Sequence, residues 1–151
     1  MYKRILVAYN GTLESRNALQ ECINLTSNIQ SEVHLLMIVK PPISTVNMVA
    51  DFAYPITDHE DPSFGEKQKE SQLKLDDGYQ QLEAAGITAT KHLEIGEPVD
   101  VIERLAKDLE INLVIVGHSK KKSTAFRWWA GTTDAKLTEK IQCSLLIASS
   151  V

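Results

Sequence analysis

Four short apolar runs constrain this chain more than any other feature: Ile5-Leu6-Val7-Ala8-Tyr9, Val33 to Val39, Leu113-Val114-Ile115-Val116 and Leu145-Leu146-Ile147-Ala148. Each is too brief for a typical helix and is bounded by turn formers or polar segments. A continuous run of this kind reads as a strand buried on both faces, the habit of parallel sheets. Ile87 to Ile95 alternates more loosely and reads as a further strand. With 151 residues, the chain suits a single domain spanning 1–151 that buries about two-thirds of its unfolded surface.

Helical spacing fills the gaps between the runs. After Asn10-Gly11, Thr12 stands where an N-cap belongs and Glu14 favours the positive end of the helix dipole. Leu13, Ala18, Leu19, Cys22, Ile23 and Thr26 follow as a stripe expected to be buried. A polar helix is expected from about Glu66 to Ala85, with Leu73, Tyr79 and Leu82 for packing and Gly86 as its stop. Pro98 opens the next helix, whose stripe is Val99, Ile102, Leu105, Ala106 and Leu109. Gly131-Thr132-Thr133 starts a last one that runs to about Ile141. Residues 41–65 break the pattern with prolines at 41, 42, 55 and 62 and the acidic cluster Asp58-His59-Glu60-Asp61, and read as a long connection. Strictly alternating strands and helices imply an α/β, doubly wound parallel sheet with helices on both faces. Ligands of such sheets bind beyond the strand carboxyl ends, where the strand order reverses. That singles out the loops Tyr9 to Thr12 and Gly117 to Thr132.

Charge and cysteine content narrow the function. A formal net charge of −4 argues against a broad nucleic-acid surface. Two cysteines are too few for a secreted disulfide scaffold, and no apolar stretch suits export or membrane spanning, so a cytoplasmic protein is expected. Cys22 lies on a core stripe and reads as inert, and Cys143 has no base beside it in sequence. His59 and its acidic neighbours match no metal-loop spacing, and no nucleophile elbow, Walker A segment or zinc-binding His pair is present. No catalytic residue and no metal site is read from the sequence, and a non-enzymatic protein is expected.

The opening Tyr2-Lys3-Arg4-Ile5-Leu6-Val7-Ala8 with Asn10-Gly11-Thr12 resembles the start of universal stress proteins. So do Gly96-Glu97-Pro98 leading to Leu113-Val114-Ile115-Val116-Gly117, and Cys143 before the last run. The resemblance covers the whole chain. It implies a five-stranded parallel sheet of order 3-2-1-4-5, adenine-nucleotide α-hydrolase-like, and a homodimer through the C-terminal strand. It implies ATP or another adenine nucleotide as ligand, with no cofactor required, no nucleic acid, no membrane, and a protein partner that the sequence does not name. The alternative is a ligand-free, stress-related homodimer acting through protein contacts.

ATP-binding members of that family carry G-x2-G-x9-G-[ST] after the fourth strand, where glycines admit phosphates to the backbone and a helix N-terminus receives them. Gly117, Gly131 and Thr132 match, whereas Lys120 replaces the middle glycine, the segment is one residue longer, and Asn10 stands where an aspartate is usual. By this resemblance the nucleotide site comprises Ala8, Tyr9, Asn10, Ile38, Val116, Gly117, Ser119, Lys120, Gly131, Thr132 and Thr133, with the base near Ala8, Tyr9 and Ile38. Lys120-Lys121-Lys122 reads either as point charges for phosphate or as a solvated loop tip that closes the cradle. Trp128-Trp129 reads as a packing wedge, and His118 stands at the mouth of the site as a phosphate contact or a solvent-exposed group.

Overall fold

The computed structural model describes residues 1–41, 62–118 and 132–149. In chain order the elements are β1 (Arg4–Ala8), α1 (Leu13–Thr26), β2 (Glu32–Val39), α2 (Pro62–Ala84), β3 (Ala89–Ile95), α3 (Pro98–Asp108), β4 (Leu113–His118), α4 (Thr132–Lys140) and β5 (Ser144–Ser149). The strands form one parallel sheet ordered β3-β2-β1-β4-β5, the architecture expected. Ile5, Leu6 and Val7 of β1 lie beside Leu113, Val114 and Ile115 of β4. Ile5–Tyr9 and Leu113–Val116 are at most 2% exposed, so these apolar runs do form the buried centre.

Alternation along the strands feeds two cores. Ile5, Val7, Val33, Leu35 and Ile115 pack against Ala18, Leu19 and Cys22 of α1 and Leu75 and Leu82 of α2. Leu6, Ala8, Leu36, Ile38, Val114 and Val116 pack against Val101, Ile102, Leu105 and Ala106 of α3 and Leu137 of α4. Each large aliphatic side chain so buried is worth about 1.5–3 kcal/mol, which is why both faces must stay covered.

The helix ends follow their sequence signals. Thr12 Oγ1 accepts from Ser15 N at 3.3 Å and caps α1. Past α2, Gly86 takes φ +76°, and Gly86 N and Ile87 N return to the carbonyls of Glu83 and Leu82, each at 2.9 Å. This paired closure needs a residue free to adopt the left-handed region.

Several expectations need correction. Helix α2 begins at Pro62 rather than Glu66, and β4 continues through Gly117 to His118. Leu13 is 65% exposed and Leu73 71% exposed, whereas Leu75 is buried. Two residues along a helix turn the side chain by roughly 200°, so Leu13 points away from the stripe through Ser15, and Leu73 away from the one through Leu75. Val101 joins the buried face of α3, which the expected stripe omitted. The cluster 58–61, the lysines 120–122 and Trp128-Trp129 lie outside the described residues.

A part-buried polar pair joins β2 to β3. His34 Nδ1 lies 3.0 Å from His92 Nε2, so the two rings share one proton between them. His34 Nε2 is 3.2 Å from Glu32 Oε1 without the alignment of a hydrogen bond. Burial first, and the charge of His34 second, hold His92 below its ordinary value of 6.5. The unfolded chain therefore takes up a proton at this position before the folded one does. Stability is full above about pH 6.5 and falls as pH drops below it. Urea unfolding at pH 7.5 and 5.5 should show this loss, and His92→Gln should reduce it; an equal loss in the variant would contradict the assignment.

Candidate functional site

In this sheet β1 and β4 are neighbours, while the chain leaves β1 toward β2 and leaves β4 toward β5. The carboxyl ends of β1 and β4 therefore flank the point where the winding reverses, the usual place for a ligand. Ala8, Ile38 and Val116 all belong to the core on the α3/α4 face, at 2%, 5% and 0% exposure, and form an apolar floor there.

Tyr9 separates from them. Its side chain belongs to the opposite core, where Gly78 of α2 makes room: a Cβ at Gly78 would lie 2.8 Å from the Tyr9 ring. The Tyr9 hydroxyl donates to Asp77 Oδ2 at 3.0 Å, and burial and then this bond raise its pKa. Only the Tyr9 backbone remains at the strand end, with its N–H donated to Leu36 O at 2.8 Å.

Asn10 organises the first loop. Its Oδ1 accepts from Thr12 N at 3.1 Å and Thr12 Oγ1 at 2.6 Å, and its own N–H reaches Ser15 Oγ at 3.3 Å. This side-chain turn sets up the α1 cap and commits the carbonyl oxygen, so the amide NH2 is what Asn10 retains for a ligand. Gly11 follows with φ +79°, a conformation in which side chains are strained.

Gly117 has a role the motif reading did not foresee. A Cβ there would come within 2.8 Å of Ser15 N and closer still to the Glu14 carbonyl. The missing side chain lets the first turn of α1 rest on β4. Ser119, Lys120 and Gly131 lie outside the described residues, and Thr132 and Thr133 are described only as the backbone opening of α4.

Beyond Gly117, His118 returns to the α3/α4 face. Its Nδ1 lies 2.5 Å from Oδ2 of Asp134, in the first turn of α4. The His118 side chain is 27% exposed and that of Asp134 only 11%. Among the described residues, Asp134 Oδ1 is buried and has no hydrogen-bond partner. The sequence reading placed His118 at the mouth but missed Asp134, because sixteen residues separate the two and no spacing rule links them. The signal available was topological: a strand end and the helix after it meet when the connection between them doubles back.

Other chemistry is sparse. Burial pushes the Cys22 thiol up to about 12 and raises that of Cys143, which leaves both poor nucleophiles. Among the described residues, no cluster of three or more metal-ligating side chains occurs, and no helix is long and apolar enough to cross a membrane.

The sequence profile of the Universal stress protein family matches residues 1–149. The chain belongs to that family. Universal stress protein YxiE of Bacillus subtilis is 25% identical over 147 residues, covering 97% of this chain and 99% of its own. Among solved structures, a universal stress protein in complex with cAMP superposes with a TM-score of 0.66 at 18% identity, covering 97% of this chain and 96% of its own. A universal stress protein family protein from Arabidopsis thaliana with AMP bound gives 0.67 at 16% identity, covering 99% and 92%. These likenesses show that this universal stress protein shares their fold.

The close approach at Gly117 is directly testable. Gly117→Ala forces α1 off β4 and should cost about 1–3 kcal/mol, the range for overpacking. Chemical denaturation measures it; an unchanged midpoint would mean that the contact is not required.

Proposed function

We propose that this universal stress protein is a non-enzymatic adenine-nucleotide-binding module whose ligand lies at the carboxyl ends of β1 and β4 on the α3/α4 face. The observation that carries this reading is the meeting of an apolar floor with a helix N-terminus at one strand-order reversal. Ala8, Ile38 and Val116 supply the floor, and α4 opens beside His118. The base packs on that floor, reached past the backbone of Tyr9. The phosphates take the free N–H groups at the start of α4, around Gly131, Thr132 and Thr133. Ser119 and Lys120 flank them, Gly117 contributes backbone only, and Asn10 offers its amide NH2. Relatives that carry cAMP and AMP support the ligand class. A cytoplasmic, stress-linked signalling role accords with the family.

A second reading rests on β5. This edge strand pairs on one side only, with Ile147 42% exposed and Leu13 of α1 exposed beside it. An open apolar edge favours pairing, so the protein is proposed to form a homodimer through β5, with or without nucleotide.

Calorimetry with AMP and ATP tests the first reading. Binding should be detectable at millimolar nucleotide and nearly indifferent to Mg²⁺, since Asn10 replaces a carboxylate. Gly131→Val should abolish it while leaving the circular dichroism unchanged. A protein that binds neither nucleotide yet scatters light as a dimer would replace the nucleotide module with the ligand-free dimer.

A further inference from the structure

A hydrogen bond alone does not account for the histidine pair on β2 and β3. His34 is 4% exposed and is the polar residue in the otherwise apolar buried run from Val33 to Val39, where an aliphatic side chain would be buried at less cost. Val33, Leu35 and Leu93 belong to the α1/α2 core, so strand alternation turns His34 and His92 toward α3. On that side Glu94 of β3 meets Arg104 of α3 at 2.7 Å. Thr90 stands opposite His34 and Leu36 opposite His92, which makes the two imidazoles diagonal neighbours. Their ring centroids are 5.2 Å apart, and His34 Nδ1 lies 3.0 Å from His92 Nε2.

Glu32 decides which nitrogen of His34 carries its proton. Glu32 Oε1 is 3.2 Å from His34 Nε2, and a bare Nε2 would set its lone pair against that carboxylate. The proton therefore sits on Nε2, and Nδ1 is left as a lone pair directed at His92. Among the described residues, this buried Nε2 has no aligned hydrogen-bond partner, so the facing carboxylate is what orients it. A histidine with a carboxylate behind one nitrogen and a free lone pair on the other is the usual state of a metal ligand. Two imidazoles sharing one tetrahedral zinc have their nitrogens about 3.3 Å apart, from Zn–N bonds of about 2.0–2.1 Å. His92 lies half-buried on the edge strand, so a small pivot of its ring opens the pair to that spacing and gives an ion its entry.

We propose that His34 Nδ1 and His92 Nε2 bind a divalent late transition-metal ion of the zinc class, with Glu32 as the positioning residue and water in the remaining coordination positions. The ion takes the place of the proton between the rings, which moves from His92 Nε2 to His92 Nδ1. Imidazole nitrogens suit Zn²⁺, Ni²⁺ and Cu²⁺, whereas Mg²⁺ takes oxygen ligands. Two protein ligands make an open, exchangeable site instead of the closed four-ligand set of a permanent structural zinc. Because the ligands come from adjacent strands, the ion clips the edge strand β3 to β2, and its binding adds to folding stability. His34 is the third residue of β2, so the site stands apart from the carboxyl strand ends and does not depend on the nucleotide reading.

Zinc titration of the metal-free protein, followed by calorimetry and by 15N NMR of the imidazoles, tests the proposal. One ion per chain should bind at this pair. His34 Nδ1 should take the shift of a metal-bound nitrogen while His34 Nε2 stays protonated. Zinc should also raise the thermal unfolding midpoint, and Mg²⁺ should cause none of these changes. His92→Gln keeps an amide donor for His34 Nδ1 but removes one ligand, so it should lose both the His34 shift and the thermal gain. Glu32→Gln should weaken zinc binding about 10-fold or more. Glu32 also lies 3.4 Å from Arg4 Nε, and a shift of the His34 proton away from Nε2 in this variant is a readout that the Arg4 contact alone would not move. No zinc-dependent shift at His34 in the parent overturns the site. Zinc bound equally well by His92→Gln places the ion elsewhere on the chain and also overturns it. Unchanged affinity and an unchanged His34 ring in Glu32→Gln overturn the role given to Glu32.

Discussion

The side-by-side burial of β1 and β4 on both faces is the constraint on which the rest of the structure depends. A strand with no solvent face must satisfy its backbone groups from neighbouring strands, and it needs a helix layer on each side. Ile5-Leu6-Val7 against Leu113-Val114-Ile115 meets the first demand, and the two cores meet the second. Placing α1 close enough to cover β4 in turn requires a position without a side chain, which Gly117 provides. The strand ends one residue further on, with His118 turned to the other face beside α4.

Local order at the site is built by polar groups that satisfy one another. Asn10, Thr12 and Ser15 close the first loop and cap α1, so that the strand end is rigid before any ligand arrives. Tyr9 anchors the same loop from the opposite side through Asp77 and the space left by Gly78. At the other end of the sheet, Asn112 Oδ1 accepts from Lys3 N and Arg4 N at 3.0 and 2.8 Å and holds the start of β1 to β4. Both ends of β1 are therefore held by side-chain hydrogen bonds to neighbouring elements.

Much of the fold was legible because apolar runs and turn residues report on it locally. The strands, the Thr12 cap, the Gly86 stop and the Pro98 start each follow from a few adjacent residues. Leu13 and Leu73 were misplaced because apolarity alone does not give the phase of a helix; Ser15 and Leu75 set that phase through contacts made elsewhere in the chain. The site was legible only in part. The apolar floor of Ala8, Ile38 and Val116 follows from strand ends, but which face each side chain takes was not visible for Tyr9. Gly117 was read for its motif, while its backbone contact with α1 is tertiary. The His118–Asp134 pair joins two elements that only the folded topology brings together, so no spacing in the sequence announces it.

The central claim is that the chemistry of this fold sits on one face of one sheet end. Methyl and imidazole NMR during AMP titration tests it most directly, since the two faces carry separate aliphatic reporters. The account predicts shifts at Ala8, Ile38, Val116 and the His118 ring, with Leu19, Leu75 and Leu82 on the α1/α2 face unmoved. Shifts confined to the α1/α2 residues, or none at saturating AMP, would contradict it.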